Sequence, residues 1–232
     1  MSRRILSNAS NLQILYQDNH LLIVNKRIGD IVQGDKTNDK PLSEIAKEYI
    51  KNKFNKKGNV FLGVTHRLDR PTSGIVIFAK TSKALKRINK MFQNKEIEKF
   101  YWAIVKNKPE KSKNTLKHWL KKNSINNITK VYDKEVNGSK EAVMHYSTIK
   151  NLKSHFLLEI KLETGRSHQI RSQLGFIGSP IKGDLKYGFD RSNYNGGIHL
   201  HAKKIKLLHP VSKKIISIEA NPPDDLLWKN CI

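Results

Sequence analysis

The sequence predicts an α+β domain in which helices flank a mixed or antiparallel sheet. Strand-like and helix-like segments are interspersed along the 232 residues, and too few regular strand–helix–strand units occur for a doubly wound parallel sheet. The chain length and the hydrophobic content of 38% are sufficient for one buried core. We therefore expect one domain over residues 12–228, preceded by a short tail over residues 1–11.

In the first hundred residues, local patterns predict three strands and two helices. The strands are expected at 13–16, 21–25 and 74–80, with a turn between the first two. Residues 41–54 repeat apolar side chains at helical spacing. After the third strand, Thr81 or Ser82 can cap a second amphipathic helix.

The rest of the chain predicts four further strands and one short helix. The strands are expected at 99–105, 156–164, 204–208 and 214–219. The helix follows Arg166 and ends near Gly175 or Gly178. Residues 106–140 are lysine-rich and hydrophilic, with strand-like pieces around "LKHWL". We interpret them as a basic excursion from the same domain, which either contacts RNA or is merely solvated.

The charge of the chain indicates a polyanionic partner. The formal net charge is +24 and the pI is about 10.0, which is typical of proteins that bind nucleic acid. The alternative is that an AT-rich genome produced the many lysines. The distribution of arginine favours nucleic acid binding, because four of the nine arginines fall within residues 66–74 and 164–171. Arginines kept together in this way suggest a need for the planar, permanently charged guanidinium group.

Other compositional features narrow the class of protein. The longest apolar runs are too short to cross a bilayer, and the N-terminus carries no stretch of signal-peptide length. The single cysteine, Cys231, excludes an internal disulfide framework and a cysteine-based metal cage. We expect a cytoplasmic monomer without metal, in which the histidines are structural.

The segment "HRLDRPTSG" (66–74) places a carboxylate in a stiff turn. Pro71 biases Arg70 toward an extended backbone, and Gly74 can adopt angles that other residues avoid. Asp69 is thus presented on a rigid platform, as a nucleophile or base requires. A loop aspartate paired with a neighbouring arginine is the alternative interpretation.

Two other segments carry candidate functional side chains. In "TGRSHQIR" (164–171), Thr164 or Ser167 can cap a helix whose first turns hold His168 and Arg171 on one face. The helix start, with Arg166, the capping hydroxyl and His168, could receive a phosphate or carboxylate. A capped surface helix with ordinary polar residues is equally compatible. In "KFYWAIV" (99–105), Tyr101 is either part of the core or a platform on which an exposed base stacks.

Together these segments resemble the RluA-type family of RNA pseudouridine synthases. "HRLDRPTSGIVIFAKTSKA", "KFYWAIV", "TGRSHQIR" and "PIKGDLKYG" occur in the order and approximate spacing of that family. The resemblance covers about residues 12–224. It implies the pseudouridine synthase catalytic fold with a central active-site cleft, and the isomerisation of specific uridines in ribosomal or transfer RNA to pseudouridine without a cofactor.

The resemblance also assigns roles by position. Asp69 matches the catalytic aspartate, Tyr101 the tyrosine that stacks on the target uracil, and Arg171 the arginine that pairs with the catalytic carboxylate. Arg67 matches the arginine that enters the RNA where the flipped base has left, and Arg70, Arg166 and His168 are further candidates for RNA contact.

The chain departs from many relatives because no S4-type domain fits before residue 12. Substrate selection is therefore expected to depend on the catalytic domain and its basic surface. A non-catalytic RNA-binding or ribosome-assembly factor that keeps the fold is the alternative. The two hypotheses differ at Asp69, which only the enzyme requires.

Overall fold

The computed structural model describes residues 5–35 and 37–231, and the chain forms two compact units. Unit 1 comprises the residues up to 97 together with 202–223, and unit 2 comprises 98–201 together with 224–232. Each unit is therefore built from segments that are far apart in the sequence. The extent of the single domain predicted from the sequence stays a prediction.

The strands and helices follow in chain order. The strands are β1 (Ile14–Gln17), β2 (Leu21–Lys26), β3 (Gly63–Val64), β4 (Ser73–Ala79), β5 (Glu98–Val105), β6 (Lys113–Asn123), β7 (Ile128–Tyr132), β8 (Lys140–Asn151), β9 (Phe156–Leu162), β10 (Leu200–Leu208) and β11 (Ile215–Glu219). The helices are α1 (Leu42–Lys53), α2 (Ser82–Gln93), α3 (Gln169–Phe176) and α4 (Leu226–Lys229), with one 3₁₀ turn at Leu185–Tyr187.

Unit 1 is a sheet with the strand order β1-β2-β4-β10, to which β3 adds beside β4 and β11 beside β10. The β2–β4 pair is antiparallel and aligns Leu22 with Phe78 and Val24 with Val76. These four side chains form one buried cluster with α1, which contributes Ile45 among others. Because β4 is buried along its whole length, the segment that directly precedes it rests on the core.

Unit 2 is an antiparallel sheet with the strand order β5-β9-β8-β6-β7. Its C-terminal helix α4 brings Trp228 into a buried cluster with Ile104 of β5 and Leu157 of β9. Trp102 packs against the same cluster from the same strand face as Ile104. The other face of β5 carries Tyr101, which is 9% exposed.

The α+β class and most of the elements predicted from the sequence are confirmed. The basic excursion is more ordered than we expected, because β6 and β7 form a hairpin. Strands β7 and β8 and helix α4 were not predicted, and β10 begins four residues earlier than expected. None of the helices within the described ranges has the length and apolar character needed to cross a bilayer.

Candidate functional site

Asp69 lies in a backbone-bonded turn immediately before β4. The amide of Thr72 donates to the carbonyl of Asp69 at 3.0 Å, and the amide of Gly29 donates to the carbonyl of Arg70 at 2.9 Å. Thr72 and Ser73, which follow the turn, are buried. The turn is therefore fixed at its base, as the proline and glycine of this segment predict.

A buried lysine that the sequence analysis missed binds the same turn. Lys26, at the end of β2, is 1% exposed. Its Nζ donates to the carbonyl oxygens of Arg27 at 2.9 Å, Arg70 at 3.2 Å and Thr72 at 2.7 Å. The available signal was a lysine at the end of the strand "LLIVNK", whose first four residues are apolar and buried. Lysine rarely occupies such a position without partners.

The charge of Lys26 is balanced by nearby carboxylates. Burial lowers the pKa of Lys26 to about 7, whereas the charges of Asp30 and Asp69 raise that pKa and the charge of Arg70 lowers it. An ammonium group has three N–H donors, which matches the three carbonyl acceptors found here. Below about pH 7, Lys26 is therefore protonated, donates to all three carbonyl oxygens and places a positive charge in the electrostatic environment of Asp69.

The residues that flank Asp69 have separate local roles. The Nε2 of His66 accepts from the amide of Ile77 at 3.1 Å, so this histidine fastens the segment to β4. Arg67 is exposed. Arg70 forms an ion pair with exposed Asp39, and its hydrogen bond lowers the pKa of that carboxyl group. The predictions that Arg67 and Arg70 contact RNA remain predictions.

The start of α3 in unit 2 differs from the predicted capped helix. The N-cap residue is His168, in the left-handed region at φ 53°, and its side chain makes no capping bond. Thr164 cannot cap α3, because its hydroxyl accepts from the amide of Val143 at 2.9 Å and donates to Oε1 of Gln169 at 2.8 Å. The Ser167 cap is likewise wrong.

A network of buried and half-buried side chains holds this helix start instead. Gln169 donates to the carbonyl of Val143 at 3.1 Å and accepts from the amide of Arg166 at 3.0 Å. His168 Nδ1 lies 2.7 Å from the hydroxyl of Tyr187. The backbone from Arg166 to His168 is thus fixed by residues from other parts of the unit.

Arg171 is a buried, ion-paired arginine. Its Nε and Nη2 donate to Oδ2 and Oδ1 of Asp184 at 2.7 Å and 2.9 Å, and the side chains of the two residues are 7% and 1% exposed. The guanidinium carbon lies 5.2 Å from the centre of the Tyr187 ring. Asp184, which the sequence analysis did not single out, therefore fixes the direction of the guanidinium.

The site residues predicted from the sequence thus fall into two local groups. Unit 1 holds Arg67, Asp69 and Arg70 on one turn. Unit 2 holds Arg166, His168 and Arg171 at one helix start, and Tyr101 on β5. Within the described ranges, no group of three or more histidine, cysteine, aspartate or glutamate side chains is arranged to hold a metal ion.

Comparison with known proteins decides the family. Residues 20–175 match the model of the family described as RNA pseudouridylate synthase. The chain is 32% identical over 225 residues to ribosomal large subunit pseudouridine synthase D of Zymomonas mobilis, covering 93% of this chain and 70% of that protein. The chain belongs to the RNA pseudouridylate synthase family. The resemblance to the RluA-type enzymes is confirmed, and with it the isomerase class.

Another relative and a solved structure agree with this assignment. Ribosomal large subunit pseudouridine synthase C of Buchnera aphidicola is 35% identical over 238 residues, which cover 98% of this chain and 71% of that protein. The structure of human RNA pseudouridylate synthase domain containing 4 matches with a TM-score of 0.79 at 23% identity, covering 95% of this chain and 93% of that chain. The latter likeness supports the pseudouridine synthase fold.

Proposed function

We propose that this pseudouridine synthase acts on specific uridines of ribosomal RNA, with Asp69 as its catalytic carboxylate. The observation that carries the proposal is the Asp69 turn, which is closed by backbone hydrogen bonds and held by the three bonds of buried Lys26. A carboxylate that takes part in bond breaking must be held still relative to its substrate. Relatives named for the large ribosomal subunit favour ribosomal RNA over transfer RNA.

The reaction of this family breaks the N1–C1′ bond of a uridine and joins C1′ to C5 of the same base. The base loses the proton at C5 and gains one at N1, so the product is an isomer of the substrate. Asp69 would take part directly in breaking the glycosidic bond. The uracil must first leave its stack, at a cost of a few kcal/mol, and stacking on the Tyr101 ring would return about 1–3 kcal/mol.

The remaining residues would hold the carboxylate and the RNA. By position in the family motifs, Arg171 would pair with the catalytic carboxylate, using N–H groups other than the two that bind Asp184. Arg67 would fill the space that the flipped base leaves in the RNA, and Arg70, Arg166 and His168 would contact the RNA. A cytoplasmic location agrees with such a substrate.

The test is the substitution Asp69→Asn in cells that lack the chromosomal gene. We expect the wild-type gene to restore pseudouridine at one or a few positions of the large-subunit RNA. Asp69→Asn should restore none, and its single-turnover rate should fall by at least ~10³-fold, because an amide cannot replace the carboxylate in the chemistry. Pseudouridine mapping of total RNA shows which positions each gene restores and also reports transfer RNA positions. The single-turnover rate is measured with purified protein on RNA that contains the mapped uridine.

Asp190→Asn is the matched control, because Asp190 is an exposed aspartate that pairs only loosely with Lys106, at 3.7 Å. This variant should restore every position. If Asp69→Asn restores modification as well as the control does, the carboxylate is not catalytic. If neither the wild-type gene nor Asp69→Asn restores any pseudouridine, but both restore ribosome assembly, the non-catalytic alternative is correct.

A further inference from the structure

Unit 2 has a concave feature next to the β6–β7 hairpin, which we call the basic cradle. The cradle is a depression of about 350 Å³, whose lining includes Leu120, Lys122, Thr129, Lys140, Arg166 and Ser167. This volume lies at the lower end of the range typical of small-ligand sites, about 300–1,000 Å³. The lysine-rich residues 106–140, for which the sequence left two interpretations open, supply most of these side chains.

The register of the sheet explains why the cradle has an apolar and hydroxyl floor with a charged rim. Lys122 is opposite Thr129 in the β6–β7 pair, and Leu120 is opposite Lys140 in the β6–β8 pair. Leu120 and Thr129 are buried, whereas Lys122, Lys140 and Arg166 are exposed. Alternate residues of a strand share one face, so Leu120 and Lys122 lie on the same side of β6.

In the part of the chain that the structure describes, no ion pair joins the three cations of the rim to a carboxylate. Among the described residues, neither Lys122 nor Lys140 pairs with an acidic side chain, and Arg166 donates its Nε to the carbonyl of Glu141 at 2.8 Å. Other lysines of the same unit do pair: Lys117 with Glu141 and Lys161 with Glu98, both at 2.9 Å. Like charges that converge on one depression favour the binding of an anion.

The cradle is built on the same backbone that leads into α3. The hydroxyl of Thr129 donates to the carbonyl of Ser167 at 3.0 Å, and the amide of Thr129 donates to the hydroxyl of Tyr187 at 2.9 Å. Tyr187 in turn contacts His168 and Arg171. An anion in the cradle is therefore held against a rigid part of the unit that carries the candidate RNA-binding residues.

We propose that the basic cradle binds a phosphate group of the RNA backbone, an inference that rests on the proposed function and gives it a specific contact. A guanidinium and two ammonium groups match a phosphodiester, because they offer a planar fork and two point charges to the same anion. The cradle then fixes the register of the RNA without reading its bases.

Salt dependence of binding tests the proposal. The probe is a labelled oligouridylate of about 20 nucleotides, and the protein carries Asp69→Asn so that no turnover occurs. Each phosphate contact to a single strand contributes about 0.7 to the slope of log K against log salt concentration. We expect the double variant Lys122→Gln/Lys140→Gln to lower that slope by up to about 0.7, because both lysines contact the same phosphate.

Lys83→Gln/Lys86→Gln is the control, because it removes two exposed lysines from α2 in unit 1. Its net charge therefore equals that of the Lys122→Gln/Lys140→Gln variant. Its slope should stay close to that of the parent protein. Equal losses of slope in both double variants, or no loss in either, overturn the proposal. Thermal unfolding of all proteins checks that none has lost its fold.

A second arm separates RNA from free anions. Inorganic phosphate is titrated at constant ionic strength, and its binding is followed by the amide resonances of the cradle. Weak phosphate binding together with a lowered oligouridylate slope supports RNA. Tight binding of phosphate that the cradle variants abolish, with an unchanged slope, overturns RNA in favour of a small anion. The failure of wild-type protein to form pseudouridine would contradict the proposed function but leave this comparison intact.

Discussion

The Asp69 turn of unit 1 and the start of α3 in unit 2 carry candidate site residues, and they are held in opposite ways. Main-chain amides close the turn. The ammonium group of Lys26 donates to the carbonyl oxygens of Arg70 and Thr72 in this segment and of Arg27 beside it. At the start of α3, side chains bind other side chains: Gln169 with Thr164, His168 with Tyr187, and Arg171 with Asp184. The Asp69 turn therefore depends on backbone geometry, whereas the start of α3 depends on pairs of polar side chains.

This difference determines how each region responds to mutation. A region held through its backbone tolerates most side-chain changes and fails when a residue cannot adopt the required backbone geometry. A region held through buried polar pairs fails when one partner is removed, because the other is left buried and unsatisfied.

The largest effect is expected at Asp184, the partner of Arg171. Asp184→Ala leaves a buried guanidinium without its carboxylate, and breaking such a pair costs about 3–5 kcal/mol. Chemical denaturation should show a fall of this size in the free energy of unfolding. Asp190→Ala, which removes an exposed partner of Lys106, should change it by less than about 1 kcal/mol. Equal effects of the two substitutions would show that Arg171 does not need its partner.

A smaller loss is expected from Gly74→Ala, which tests the backbone of the Asp69 turn. Gly74 has φ +114° and is opposite Lys26 in the β2–β4 pair. A Cβ atom there would lie 2.8 Å from the carbonyl carbon of Ala202 and closer still to other backbone atoms of that residue. Strain and overpacking together should cost about 3 kcal/mol.

Gly58→Ala is the control for this substitution, because no atom lies within 4 Å of a Cβ at Gly58. It should leave the midpoint of urea unfolding nearly unchanged. A Gly74→Ala protein as stable as the control would mean that the strand can shift, and that the turn is less rigid than its hydrogen bonds indicate.

The same contrast explains what the sequence could and could not predict. Helix α2 was predicted correctly, and Thr81, one of the two caps that the sequence allowed, is its N-cap. The capping bond to the amide of Ala84 joins residues only three apart. The cap of α3 was wrong because the hydroxyl of Thr164 is bound by Val143, a residue of β8 that lies 21 positions away. Local sequence patterns show which hydrogen bonds residues close in the chain can form. They do not show that a side chain already bonds to a residue far away in the sequence.

The missing pieces of the candidate site have the same origin. Asp69 and the stiffness of its turn follow from Pro71 and Gly74, which act on their own backbone. The roles of Lys26 and Asp184 depend on acceptors and donors that the fold supplies from other segments. Strand β8 was missed for a related reason: its pairing with β6 and β9 buries only part of it, so its apolar pattern is weak.

The pH dependence of stability shows at which pH buried Lys26, which binds the Asp69 turn, releases its proton. The ordinary pKa of lysine is 10.5, and burial lowers the pKa of Lys26 to about 7. Between these values the unfolded chain keeps the proton and the folded protein releases it, so the free energy of unfolding rises with pH. Below about pH 7 both states are protonated and the effect is constant.

Lys26→Met removes this titration. The stability of the wild type relative to Lys26→Met should therefore increase between pH 7 and pH 9, by at most about 1.4 kcal/mol per pH unit. Lys57→Met, which replaces an exposed lysine of the same unit, should show no such trend. A flat difference for Lys26→Met would mean that its three carbonyl partners keep the ammonium group protonated throughout this range.

The smallest effect is expected at Tyr187, whose hydroxyl joins Thr129 and His168 at the start of α3. Tyr187→Phe keeps the ring beside Arg171 and leaves the amide of Thr129 without its acceptor, which should cost about 1–2 kcal/mol. Tyr194→Phe, at a residue that is 78% exposed, is the control and should change stability by less than about 0.5 kcal/mol.

Amide hydrogen exchange locates the loss of stability in Tyr187→Phe. Protection should fall at Thr129 and at the first turn of α3, while Thr72 in the Asp69 turn keeps its protection. Loss of protection at Thr72 as well would mean that the two regions do not respond independently, because the backbone-held turn would then depend on a side-chain bond in the other unit.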